Sequence, residues 1–234
     1  MTEKCDIEKS EDRIDTEQLR NHWTRPLGPL GYYWFLTFED CLELADLAKE
    51  CQGSIDFPYY DLTPEGRLHL TLGKIAHHSE INSHQVSAIA ESATQICSGI
   101  APFEVSVECL SSVRSAVAFD VNPAGAVEGL RNRLNSVTEN FIMNGGTPGS
   151  NPHPPHITIA YANADGVPAQ RSVQAVDKIN KAIKGISIVI DRVSLVLLIR
   201  EPHHYSWEVI SQIPLNGSDE RRVSSLDSAC YRMK

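Results

Sequence analysis

Two short stretches alternate apolar and polar residues in the same way. Leu68, Leu70 and Leu72 alternate with His69, Thr71 and Gly73, and Ile157 and Ile159 alternate with His156, Thr158 and Ala160. A period of two predicts strands, with the aliphatic residues facing a core and the His and Thr sharing the other face. On that alternation Gly73 and Ala160 follow on the polar face and leave room beside the imidazole and hydroxyl. Aromatic and β-branched residues predict a further strand over 32–38, after a Gly/Pro turn at 27–31. More strands are predicted over 103–109, 116–121, 186–190, 192–199 and 205–213.

Apolar residues at helical spacing predict four helices between these strands. Cys41, Leu44, Ala45 and Ala48 form one stripe, with Asp40 as its cap. Val86, Ile89, Ala93 and Ile96 form a second, with Ser79 as cap. Val127, Leu130, Leu134 and Val137 follow Asn122-Pro123, a cap-then-proline start. Val173, Val176, Ile179 and Ile183 form the fourth. A short helix is expected to end near Asn21, and 52–65 reads as a loop. The stretch 145–149 reads as a long connection or a mobile lid before the second His strand.

The order strand, helix, loop, His strand, helix, strand thus occurs twice, and the two histidines stand 87 residues apart. Such a hidden duplication predicts an α+β fold. It would be a bilobal pseudo-two-fold arrangement, with two largely antiparallel sheets lining a central cleft and helices outside. The expected division is a disordered segment over 1–14, a single domain over 15–215 with lobes of 20–115 and 116–215, and a loose tail over 216–234.

Composition narrows the function. A net charge of −9 over 234 residues argues against wide contact with long nucleic acid, though not against one phosphate in a locally positive cleft. The six scattered cysteines contain no Cys-x-x-Cys pair and read as reduced thiols. With a charged N-terminus lacking a signal core, they lead to the expectation of a cytoplasmic protein, away from membranes and monomeric.

Two imidazoles flanking one phosphorus can serve as base and acid in one displacement, since histidine titrates near neutrality. Thr71 and Thr158 would donate hydrogen bonds to the phosphate oxygens. No metal or cofactor is needed. Arg67 and Arg114 are weaker phosphate candidates, and Tyr205 and Trp207 are candidates for stacking a base, with packing favoured for Trp207. His22, Arg25 and His153 can approach the site, but an arm pinned by Trp23 and an exposed loop are the plainer readings. His77-His78 and His203-His204 lack a third ligand at metal spacing.

Paired His-apolar-Thr-apolar strands in a chain of this length resemble the two-histidine phosphoesterase superfamily, the 2′-5′ RNA ligase and cyclic phosphodiesterase family. The resemblance spans about residues 20–215. It implies a bilobal fold with a central cleft, and metal-independent hydrolysis or formation of 2′-linked phosphodiesters, typically at a 2′,3′-cyclic phosphate. His69, Thr71, His156 and Thr158 match its motifs. The expected activity is a phosphodiesterase on a nucleotide or RNA end. The alternatives are an ATP-independent 2′-5′ RNA ligase, a non-catalytic binding module and a two-histidine metallohydrolase.

Overall fold

The structure, a computed structural model, describes residues 18–111, 113–141 and 153–218. Nine strands and four α-helices follow one another among the described residues: β1 (Gly28–Thr37), α1 (Leu42–Gln52), β2 (Tyr60–Leu62), β3 (His69–Ala76), α2 (Ser83–Cys97), β4 (Phe103–Ser111), β5 (Ala116–Asn122), α3 (Ala124–Phe141), β6 (His156–Ala162), α4 (Gln170–Ala182), β7 (Ile186–Ile190), β8 (Arg192–Arg200) and β9 (Tyr205–Pro214). The strands form two antiparallel sheets, β3-β1-β8-β9 and β2-β6-β5-β4-β7. The fold is the α+β, two-sheet duplication expected, with β3 and β1 in one sheet standing where β6 and β5 stand in the other.

The sheets do not follow the lobes expected at 20–115 and 116–215. β4 belongs to the second sheet, and β8 and β9 belong to the first. β4 pairs with β5 across a short antiparallel connection and β2 pairs with β6, while β8 pairs with β1 and brings its hairpin partner β9 with it, so each lobe lends strands to the other's sheet.

The helical stripes pack against both sheets in one continuous core. Leu44, Leu47, Ile89, Ala93, Val127, Leu130, Leu134 and Val137 meet Leu36, Leu70, Leu72, Ile157 and Ile159 there. Each large aliphatic side chain removed from water contributes ~1.5–3 kcal/mol. Trp34 is fully buried among them, and its indole N–H donates to Thr138 Oγ1 at 3.0 Å, which ties β1 to α3.

Several local expectations are corrected. α1 starts after Cys41 without a side-chain cap from Asp40. α2 is capped by Asn82 instead of Ser79; Asn82 and Gln85 form a reciprocal capping box. The expected loop 52–65 contains β2, because its backbone completes the open edge of β6. Residues 18–21 are extended, not helical: Gln18 bridges Pro168, and the Leu19 amide donates to Val167 O at 2.8 Å. β1 begins at Gly28, inside the expected turn. The expected disordered segment 1–14, the lid at 145–149 and the tail beyond 218 lie outside the described residues. Asn216 and Gly217 donate backbone hydrogen bonds to Cys97 O and Ile100 O, at 3.3 and 2.9 Å.

Candidate active site

His69 and His156 each open a strand, β3 and β6, and both are held in the same way. His69 Nδ1 lies 3.0 Å from the Arg67 carbonyl, and His156 Nδ1 lies 2.8 Å from the Pro154 carbonyl. A carbonyl only accepts, so the proton of each bond is on Nδ1. Each ring therefore has Nε2 as its free nitrogen, basic while the ring is neutral. The same bond to the residue two places back appears in both halves of the duplication.

Their surroundings differ. His69 stacks on Phe35 (centroids 4.4 Å apart, planes at 16°) and meets the edge of Trp207 at 5.1 Å. It is 8 % exposed, whereas His156 is half-buried. Burial pushes the His69 imidazole down to about 4; the Arg67 carbonyl partly opposes this, and the nearby His156 adds to it. His69 is thus neutral at physiological pH. The strands that carry the two rings, β3 and β6, also contact each other.

Thr71 is the cross-strand partner of Phe35, and Thr37 that of His69, so these four share the face of the first sheet that carries the imidazole. Thr158 is buried beside the Tyr161 phenol, and its cross-strand partner is Ala118. Both threonines therefore stand on the same face as their histidine, as the alternation predicted.

The next residues on that face are not the expected ones. A register shift leaves Leu72 as an extra residue in β3, and another leaves Ile159 as an extra residue in β6. Each bulge reverses the alternation. Gly73 turns to the helix side, where a Cβ would meet Asn135 Oδ1 of α3 at 2.8 Å. Ala160 turns into the core. Lys74 and Tyr161 take their places on the histidine face, paired with Tyr33 and Ala116. The Ile159 bulge is anchored from α1: Gln52 Nε2 donates to the Ile159 and Thr63 carbonyls, both at 2.8 Å. So Gly73 and Ala160 do not provide the space beside the imidazoles that simple alternation assigned to them.

The Arg67 guanidinium lies over the Trp207 ring at 5.1 Å, and Trp207 touches both His69 and Phe35. The Trp207 indole N–H donates to Glu39 Oε1 at 3.2 Å. Trp207 is therefore part of the wall that packs His69. Tyr205 is enclosed: its ring meets His22, Trp23 and Tyr161 at 5.6, 5.2 and 5.5 Å, and its hydroxyl shares a 2.9 Å hydrogen bond with His22 Nε2. It is buried among these rings, which leaves it poorly placed to stack a base. Arg114 is exposed beside the same arm, its carbonyl accepting the Arg20 amide at 2.8 Å. His153 stands edge-on to His156 at 6.3 Å.

Four residues of this face escaped the sequence reading. Phe35 supports His69, and Lys74 and Tyr161 arrive through the bulges. Asp120 is the cross-strand partner of His156; its carboxylate accepts from Ser111 Oγ at 2.5 Å and Cys109 Sγ at 3.4 Å. Only a pairing register, which one strand's pattern does not contain, could have revealed them. Among the described residues no group of three or more His, Cys, Asp or Glu side chains is arranged to hold a metal. The two histidine pairs make other contacts, His77 with Ser79 and His203 with Asp61. No helix among the described residues is long and apolar enough to cross a membrane.

The model of the 2′-5′ RNA ligase superfamily matches residues 42–201, which include both His strands. This chain belongs to that superfamily. No curated protein matches the sequence. Among solved structures, TT0787 of Thermus thermophilus superposes with a TM-score of 0.62 at 16 % identity, covering 80 % of this chain and 98 % of its own. Escherichia coli LigT complexed with NADP+ gives a TM-score of 0.58 at 15 % identity, covering 80 % and 99 %. LigT complexed with 3′-AMP gives 0.58 at 16 %, covering 80 % and 98 %. At such identities the likeness is one of fold, shared by proteins whose chains are covered almost end to end.

Proposed function

We propose that this superfamily member is a phosphodiesterase that opens a 2′,3′-cyclic phosphate on a nucleotide or RNA end by His/His acid-base catalysis. The observation that carries the reading is the matched Nδ1–carbonyl bond of His69 and His156, which leaves two Nε2 atoms for one substrate. The burial of His69 favours it as the base, because it is neutral at working pH. In this scheme His69 Nε2 takes a proton from water as the water oxygen bonds to phosphorus. The bond from phosphorus to one ring oxygen breaks, and protonated His156 gives that oxygen its proton. The product is a phosphomonoester and a free hydroxyl. Thr71 and Thr158 would donate to the non-bridging oxygens as charge collects there, with Arg67 adding a cation at the His69 side. The LigT complexes with NADP+, 3′-AMP and ATP support a nucleotide as the ligand class.

With a 5′-hydroxyl in place of water, the same step in the same direction would join RNA ends: His69 takes the hydroxyl proton as its oxygen bonds to phosphorus, and the ring oxygen leaves with the proton from His156. The superfamily's name keeps that second reading open.

The test is turnover of 2′,3′-cyclic mononucleotides by wild type, His69→Ala and His156→Ala, all in EDTA. Wild type should turn over substrate in chelator, and each variant should lose roughly 10²–10⁴-fold in kcat. Complete loss of wild-type activity in EDTA would refute the scheme, as would wild-type rates in either variant.

A further inference from the structure

The cleft face continues beyond the histidines to an end that the catalytic scheme leaves unused. Along β1, Phe35 lies under His69, and two residues away comes Tyr33, its ring 5.9 Å from Phe35. Two cations stand at Tyr33, and a third lies beside the arm. Arg25, exposed on the N-terminal arm, donates from Nη1 to the Tyr33 hydroxyl at 3.3 Å. Lys74, half-buried, is the cross-strand partner of Tyr33 and stands on the same face as His69 and Thr71. Arg200, only 7 % exposed, pairs with Tyr205 across β8 and β9, and its guanidinium lies 4.8 Å over Trp23.

None of these three cations is within ion-pair distance of a described carboxylate. Arg200 donates from Nη1 to the Glu201 carbonyl at 2.6 Å, but its buried Nε has no hydrogen-bond partner among the described residues. A buried charge is ordinarily compensated, and leaving one without a counter-charge is costly. Arg25 and Arg200 together also hold the His22 imidazole down, after burial itself. The arm end of the cleft thus carries three cations against the Asp61 carboxylate, which accepts from the Trp23 indole at 2.7 Å, in a chain whose net charge is −9. Such a field fits a ligand that brings negative charge of its own.

We propose that the cleft accepts a substrate with two phosphate groups: the phosphodiester at the two histidines, and a second, terminal phosphate held at the arm end by Arg25 and Lys74. Arg200 adds charge from behind. For a nucleotide the second group is the 5′-phosphate. The substrate class is then a 5′-phosphorylated nucleoside 2′,3′-cyclic phosphate rather than the bare cyclic nucleoside. The proposal rests on the phosphodiesterase reading for the position of the first phosphate.

The experiment compares kcat/KM for adenosine 2′,3′-cyclic phosphate with and without a 5′-phosphate. Wild type should prefer the 5′-phosphorylated substrate by about tenfold, carried mainly in KM, as one charge-assisted contact pair would give. The double variant Arg25→Gln, Lys74→Gln should bring that ratio close to one. Because the ratio is taken within one protein, a general loss of folded enzyme does not change it. A wild-type ratio near one, or an undiminished preference in the double variant, would overturn the proposal. If wild type turns over neither substrate, the phosphodiesterase reading fails, and calorimetric binding of adenosine 5′-monophosphate decides the subsite separately. Weaker binding by the double variant would uphold it, and equal binding would refute it.

Discussion

His69 and His156 are the same residue in the same motif with the same backbone partner, yet they are chemically unequal. The difference comes from neighbours on other strands. Phe35 and Trp207 cover His69 and remove it from water, whereas His156 keeps part of its surface exposed. A desolvated imidazole stays neutral at working pH, so in the proposed scheme the first ring is available as the base and the second is the acid. Alanine at either position should therefore abolish most turnover, while the cause of the loss differs. The two threonines differ as well, in the opposite direction: Thr158 is buried beside Tyr161, and Thr71 is half-buried.

At the scale of elements, bulges decide what reaches the site. The Ile159 bulge is held by Gln52, and the register break in β4 is held by Asn180 of α4. Leu110 N–H donates to Asn180 Oδ1 at 2.8 Å, and Asn180 Nδ2 donates to the Leu110 carbonyl at 2.9 Å. Replacing Asn180 with Ala leaves both Leu110 groups without these partners. It should lower stability by about 2 kcal/mol, read as a lower denaturation midpoint at an unchanged denaturant slope. The elements themselves were legible because aliphatic residues repeat at clear periods: all four helical stripes and both His strands correspond to elements of the fold. The first four polar positions, His69, Thr71, His156 and Thr158, were legible for the same reason. The positions beyond each threonine were not, because an inserted residue reverses the alternation without changing the composition. That is why Gly73 and Ala160 were expected where Lys74 and Tyr161 stand. Caps failed more simply. Asp40 and Ser79 are good capping residues that stand before the true helix boundaries at Cys41 and Asn82, and a cap is fixed by where the helix can dock.

For the whole molecule, the duplication is visible in sequence but the exchange of strands is not. β4 leaves the first half for the second sheet, and β8 and β9 cover the first. Separating the chain at 115/116 would strip strands from both sheets, so neither half has a complete sheet of its own. Burial of histidines also sets how stability follows pH. His69 and His22 are both held down to about 4, from an unfolded value of 6.5. As pH falls below about 6.5 the unfolded chain takes up these protons first, so stability should decline between about pH 6.5 and pH 4. Above that window these two groups make no further change. His69→Gln should flatten the decline, measured as unfolding free energy against pH. An equally steep loss in the variant would place its origin elsewhere.

The division of labour between the two imidazoles is tested most directly by the pH profile of kcat/KM on a 2′,3′-cyclic mononucleotide. In wild type the profile is predicted to fall on an acid limb near pH 4, set by His69 in the free enzyme. Residual activity in His69→Gln should lack that acid limb, whereas that in His156→Gln should keep it. An acid limb that survives in His69→Gln, or disappears in His156→Gln, would contradict the assignment of base and acid.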